Sequence, residues 1–306
     1  MTDSLHLIAA TGLTGTPARP AVRASACAAA KAALAVLLVS ALIAPAAQAQ
    51  SAKPAYEPTY GQEGKDVIWV PTQPLTIERM LRMTQVTPQD VVVDLGSGDG
   101  RITIAAAKDF GAKAFGYEYN PDMVELSKRE AEKAGVAGKV EFRKADIFET
   151  DFSHATVITM YLLPHLNVKL RPIILNMRPG IRVVSHQFDM AEWKPDEVSD
   201  QSGRRINFWL VPAKVEGNWR LSFPGRDYTL TLRQEFQMIS GHIAPGPVQM
   251  GLRDAVLTGA AIRFSFVDEQ SKLHTFNGTV SGNSMTGTVT PQGGQPLAFN
   301  ATKQAQ

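Results

Sequence analysis

The sequence predicts a doubly wound α/β sheet with helices on both faces, followed by a smaller antiparallel β region. Three observations predict it. Val91-Val-Val-Asp-Leu95 runs β-branched residues into an acid, a loop with glycine at 96, 98 and 100 follows, and Arg101-Ile-Thr-Ile-Ala-Ala-Ala reads as helix. Strand-like and helix-like segments then alternate to about residue 212. From about 215 the texture changes to short alternating strands and glycine-bearing turns.

Residues 1–49 read as a signal peptide. Arg19, Arg23 and Lys31 precede an apolar run from Ala32 to Ala44, and Pro45 and an Ala47-Gln-Ala49 cleavage site follow. The run holds 13 residues, short of the roughly 20 of a spanning helix. The alanine-rich leader is bacterial in style. The expectation is an exported, periplasmic protein with no stable membrane span after cleavage; anchoring in the inner membrane by an uncleaved leader is the alternative. Residues 50–65 read as a polar linker, 66–214 as the α/β domain and 215–306 as the β-rich domain.

The chain has 31 basic and 29 acidic residues; the leader holds Arg19, Arg23, Lys31 and Asp3, so the remainder is balanced at 28 against 28. That balance gives no basic excess for nucleic acid. The single cysteine, Cys27, lies in the leader, which leaves the remainder without disulfide, thiolate nucleophile or cysteine-metal site.

The glycine loop selects a ligand type. A dinucleotide fingerprint counted from Gly96 needs glycine at 101, where Arg101 stands. Asp94 at the strand end favours a ligand carrying an ammonium or sulfonium and disfavours a pyrophosphate. Lys113-Ala-Phe-Gly-Tyr-Glu-Tyr119 reads as a second strand ending in Glu118, an acid placed to accept hydrogen bonds from a ribose diol. Asn120-Pro121 starts a helix as N-cap and first residue, a Glu125/Arg129 pair supports it, and Gly135 stops it. Lys139–Ala145 reads as a third strand, with Asp146 at its tip to hold an adenine amino group and Ile147 to cover the ring. Three acids at the ends of three successive strands point to one adenosyl-type site.

The order D-L-G-S-G-D-G, G-Y-E-Y-N-P, K-A-D-I-F resembles the class I S-adenosylmethionine-dependent methyltransferases over about residues 66–212. Upstream, Trp69-Val-Pro-Thr-Gln-Pro before a helix looks like the small protein-lysine methyltransferases related to the mitochondrial ATP-synthase c-subunit enzyme. The resemblance implies a Rossmann-like methyltransferase sheet and S-adenosylmethionine as cofactor. It implies that Asp94, Gly96 and Gly98, with Ser97 between them, hold the methionine part, that Glu118 binds the ribose and Asp146 the adenine beside Ile147, and that the V-P-T loop closes over the cofactor with Thr72 near it.

Ala155–Tyr161 reads as strand four. The helix after it carries Leu166, Leu170, Ile173, Ile174 and Met177 on one face, with Pro172 expected to bend or divide it. Ile181–Phe188 reads as strand five and Arg205–Val211 as a last, antiparallel strand. The transfer site lies beyond strand four, which makes Tyr161 the candidate catalytic residue, facing the sulfonium or bonding the incoming amine, with Pro164 and His165 on the substrate side. His165 and His186 are candidate bases, each read more readily as a capping or hydrogen-bonded structural histidine.

The β-rich end carries alternating segments at Tyr228–Phe236, Ala261–Val267 and His274–Val280, an antiparallel meander or a lipocalin-like barrel, read as a packing module or a ligand-binding barrel. The functional expectation is methyl transfer to a protein lysine, or to a small molecule. The alternative is a non-catalytic envelope binding protein on the same scaffold.

Overall fold

The computed structural model describes residues 56–305, so the leader and the first residues of the linker lie outside the described residues. The first sheet forms around β1 (Val91–Leu95). Parallel to it run β2 (Lys113–Glu118), β3 (Val140–Lys144), β4 (Val157–Met160) and β5 (Arg182–His186). β6 (Glu197–Gln201) and β7 (Arg204–Leu210) complete one edge as an antiparallel hairpin. The order β3-β2-β1-β4-β5-β7-β6 reverses direction between β1 and β4, where doubly wound sheets open a ligand crevice.

Side-chain alternation decides which helix covers which face. Val92, Ala114, Val157 and Val184 pack on α1 (Pro74–Met83) and α2 (Arg101–Asp109) through Ile77, Met80, Leu81 and Ile102. Val93, Ile158 and Val183 pack on α4 (Pro164–Leu175) through Leu166, Leu170 and Ile174. Each large aliphatic side chain so buried contributes about 1.5–3 kcal/mol.

α3 (Pro121–Lys133) starts where the sequence predicts: Asn120 Oδ1 accepts the Asp122 amide over 2.9 Å, and Gly135 turns left-handed after the last turn at φ 72°. Glu125 pairs with Lys128 rather than Arg129, whose guanidinium donates to the Tyr56 carbonyl. α4 is one unbroken helix despite Pro172. The proline falls in its last turn, and the helix continues through it to Leu175. The sequence reading misses β6, a polar and largely exposed edge strand without apolar alternation.

The second sheet holds β8 (Gly217–Phe223), β9 (Arg226–Glu235), β10 (Met238–Ala244), β11 (Met250–Gly251), β12 (Arg253–Thr258), β13 (Ala261–Val267), β14 (Leu273–Ser281), β15 (Ser284–Pro291) and β16 (Leu297–Lys303). Its order β11-β10-β9-β8-β16-β15-β14-β13-β12 is antiparallel throughout. Pairing of β8 with β16 sets two meanders side by side, and the Leu252 amide donates to the Gly241 carbonyl over 3.0 Å where the free edges approach. The result is a nearly closed barrel. Its interior is filled by Trp219, Phe264, Phe266, Phe276 and Phe299, with the Phe264 and Phe276 rings stacked at 4.8 Å. This packing supports the module reading of the β region over a ligand-holding barrel.

The two sheets touch through Phe236, in the turn between β9 and β10, which stacks on Trp193 at 6.3 Å, and through the Ala213 amide, which donates to the Gly259 carbonyl over 2.8 Å. Among the described residues no helix is long and apolar enough to cross a membrane.

Candidate active site

β1 delivers Asp94 to the floor of the crevice. The side chain is buried; Thr159 of β4, its register partner, donates to Oδ1 over 2.7 Å, and Thr103 of α2 reaches Oδ2 at 3.5 Å. Burial, with the nearby charges of Asp99 and Glu118, outweighs these two donors and pushes the carboxyl up to about 7. A site so organised rewards a cation that restores the ionised form.

The loop after β1 is held close to its neighbours. Gly98 and Gly100 adopt φ of 55° and 79°. A Cβ on Gly98 would stand 2.8 Å from the Trp69 indole nitrogen, and one on Gly100 2.7 Å from the Phe142 ring. Only glycine meets both demands, so the loop packs directly against Trp69 and Phe142. Ser97 turns its hydroxyl toward Gly116, where it is buried without a partner, and borders the cavity beside Gly96.

Glu118, at the end of β2, clamps the loop. Its Oε2 accepts the Gly98 amide and its Oε1 the Asn120 amide, each over 2.9 Å. Each oxygen keeps acceptor capacity for a hydroxyl. Asp146, beyond β3, accepts the Phe148 amide over 2.9 Å and is ion-paired with Lys65. The lysine bond, then the amide, holds the Asp146 carboxyl below the usual range. The Lys65 ammonium also lies 4.7 Å over the Tyr119 ring.

Lys65 belongs to a strap whose first part, to residue 65, sequence reading takes for linker. Gly61 donates to the Trp69 carbonyl, Trp69 to the Gln62 carbonyl and Gly64 to the Val67 carbonyl, folding residues 61–69 back on themselves over the cavity. The strap, Asp94, the glycine loop, Glu118, Asp146, Ile147, Thr72 and Tyr161 enclose about 990 Å³, counting the open mouth. Thr72 is buried at the far end, where its carbonyl accepts Arg101 Nη1 over 3.0 Å.

Tyr161 follows β4 and is half-buried. Burial first, and then the neighbouring Tyr60, raises its phenol above the ordinary value. Its ring packs on His186 at 4.1 Å between centroids and on Phe188 at 6.4 Å. His186 ends β5, buried, with Nδ1 3.3 Å from the Thr72 hydroxyl. Burial, with Arg204 and Arg79, lowers it to about 4, so the ring is neutral at physiological pH. Pro164 and His165 are not among the residues that line the cavity. Both are exposed in the first turn of α4, and Leu162 and Leu166 line the cavity instead. The helix turns its apolar face inward there, which carries the two residues between them outward.

Sequence reasoning thus places Thr72, Asp94, Gly96, Ser97, Gly98, Glu118, Asp146, Ile147 and Tyr161 around one cavity, and the structure brings these nine together. It misses Lys65, Trp69, Tyr119 and Thr159. Thr159 carries a signal, as the polar residue in the fully buried strand Val157–Met160. Among the described residues no cluster of His, Cys, Asp or Glu is arranged to hold a metal ion.

Residues 94–197 match the ANTKMT methyltransferase domain. A protein-lysine N-methyltransferase of Saccharolobus islandicus is 46% identical over 134 residues, 43% of this chain and 83% of that protein. The mouse ATP synthase c-subunit lysine N-methyltransferase is 34% identical over 134 residues, 44% of this chain and 53% of that protein, so the likeness spans about half its length. A solved RNA methyltransferase of Salinibacter ruber, in complex with S-adenosyl-L-homocysteine, is 49% identical over 48% of this chain and 96% of that chain, with a TM-score of 0.47. The chain belongs to the class I S-adenosylmethionine-dependent methyltransferases, in the family of the small protein-lysine methyltransferases related to the ATP-synthase c-subunit enzyme.

Proposed function

We propose that the enzyme transfers the S-adenosylmethionine methyl group to the side-chain amine of a protein lysine. The observation that carries the reading is the line of three carboxylates, Asp94, Glu118 and Asp146, along one cavity that the glycine loop borders. The names of the lysine-modifying relatives support the acceptor class.

In this reading Asp94 faces the cationic methionine end, Glu118 accepts the ribose hydroxyls with the lone pairs its two amide bonds leave free, and Asp146 takes the adenine amino group beside Ile147. Gly96 and Gly98 admit the cofactor against the loop, and Thr72 closes the transfer end. The cofactor supplies an activated methyl on a positive sulfur. The chain's tasks are alignment and exclusion of water. Tyr161 aligns the incoming amine, its ring held by His186 and Phe188. The amine attacks neutral, and its proton leaves to solvent after transfer. The neutral His186 keeps charge off the face it shares with Tyr161. We also propose, from the leader alone, that the protein acts after export.

The test is formation of S-adenosylhomocysteine by the purified enzyme with lysine peptides, against the same peptides with lysine replaced by arginine. The reading requires product with the first set and none with the second.

A further inference from the structure

Two arginines stand beside the transfer end, neither ion-paired with a carboxylate among the described residues. Arg204 opens β7 beyond the carboxyl end of β5: His186 pairs with Ile206 in register, and Arg204 lies two residues further out on the same face of the sheet. Arg79 comes to that face from α1. Its Nη2 donates to the Ser199 hydroxyl of β6 over 2.7 Å, and Ser199 pairs with Ile206. Ile206 packs with α1, which fixes the side of the sheet on which these groups gather. His186 sits in the same row, against Thr72 and Tyr161 of the cavity wall.

The face carries these two arginines and one β6 acid, Glu197, which is exposed and lies two residues from Ser199. Neither Arg79 nor Arg204 makes an ion pair among the described residues, although both are half-buried. The other acid of β6, Asp200, pairs in register with Arg205, whose side chain points to the other face and bonds Asn207. Glu78 is engaged by Arg82. The charged groups acting on His186 are Arg204 and Arg79, both cations. Partial burial of an unpaired guanidinium sacrifices hydration with no ion pair in return, and a planar fork suits a carboxylate.

We infer that Arg79 and Arg204 select the acceptor, by binding a carboxylate of the substrate protein that neighbours the target lysine. The preferred substrate is a lysine flanked by aspartate or glutamate. The inference rests on the lysine-transfer reading and adds the sequence context of that lysine. Both arginines lie outside the cofactor cavity, so their removal leaves cofactor binding intact.

The experiment measures kcat/KM on peptides holding one lysine with glutamate, alanine or arginine at its neighbouring positions. The full enzyme, Arg79→Ala/Arg204→Ala and Arg79→Glu/Arg204→Glu are compared, with S-adenosylhomocysteine affinity as the folding control. The native enzyme prefers the glutamate peptide over the arginine peptide by at least about fivefold, mainly through KM. The alanine pair abolishes the preference and the glutamate pair inverts it, each with unchanged affinity for S-adenosylhomocysteine. A native enzyme indifferent to the flanking charge, or a preference that survives both variants, overturns the inference and leaves lysine transfer standing. A native enzyme that binds the cofactor and methylates no lysine peptide overturns both.

Discussion

Thr159 donates its hydroxyl to Asp94 across the β4–β1 register, and that 2.7 Å bond is the shorter of the two side-chain hydrogen bonds holding the acid at the floor of the crevice. Two donors do not offset the burial, and Asp94 protonates near pH 7. A carboxyl group kept half-neutral by its surroundings is a proton-linked receptor for a cation.

Cofactor affinity therefore depends on pH with a definite sign. Below about pH 7 the free enzyme holds a proton on Asp94 that a cationic ligand must displace. Calorimetry should show S-adenosylmethionine binding weaken by up to about tenfold per unit as pH falls below 7, and level off above it. Asp94→Asn should bind weakly at all pH values, without that slope. A native profile flat from pH 5.5 to 8 would remove Asp94 from the site.

Glu118 ties the glycine loop to the start of α3 as well as facing the cavity. Glu118→Ala should weaken cofactor binding by about 10- to 100-fold, as expected when a charged acceptor of hydrogen bonds is lost. Glu118→Gln keeps one acceptor oxygen and should lose less. Equal losses in the two variants would mean that the acid acts only through its charge.

The Lys65–Asp146 pair closes the strap over the adenine end. Lys65→Ala should release residues 61–69 and speed dissociation of the cofactor, measured by stopped-flow fluorescence of Trp69, which stands against Gly98. An unchanged dissociation rate would show that the strap opens independently of this contact.

His186 is held neutral, from an ordinary 6.5 to about 4. Its folded-state value is the lower, so the unfolded chain binds the proton first as pH falls. The histidine's contribution to stability is complete above pH 6.5, declines below it and is gone by about pH 4. Urea unfolding at pH 7 and pH 5 should show a smaller loss for His186→Gln than for the native chain. Tyr161→Phe, which keeps the ring packed on His186, should leave cofactor affinity within about twofold and lower kcat by about tenfold if the hydroxyl aligns the amine.

What the sequence makes legible are features written locally. Val91–Leu95 is recognisable because β-branched residues lead into Asp94 and a glycine loop; Glu118 and Asp146 stand at the ends of β2 and β3, Glu118 just ahead of the Asn120-Pro121 start of α3. The contacts it leaves hidden join distant segments. Lys65 and Asp146 are separated by 81 residues, and no local pattern pairs them. β6 is invisible because an exposed edge strand carries no apolar alternation. The two meanders join through β8 and β16, a pairing between the two ends of the β region that hairpin grammar cannot specify. That Leu162 and Leu166 line the cavity where Pro164 and His165 do not is hidden as well, because adjacency to a strand end does not determine which face of the next helix meets the cavity.

Export makes a separate prediction. Protein purified from its host envelope should begin at Gln50, after the Ala47-Gln-Ala49 site, by amino-terminal sequencing. A mature chain that retains Arg19 to Ala44 would replace cleavage with anchoring.

The most direct measurement is mass spectrometry of a host protein extract incubated with the purified enzyme and S-adenosylmethionine carrying a deuterated methyl group. The account predicts labelled methyl groups on lysine side-chain nitrogens, present with the native enzyme and lost with Asp94→Ala and Glu118→Ala. Label found only on other atoms, or label on lysine that persists in both variants, would contradict it.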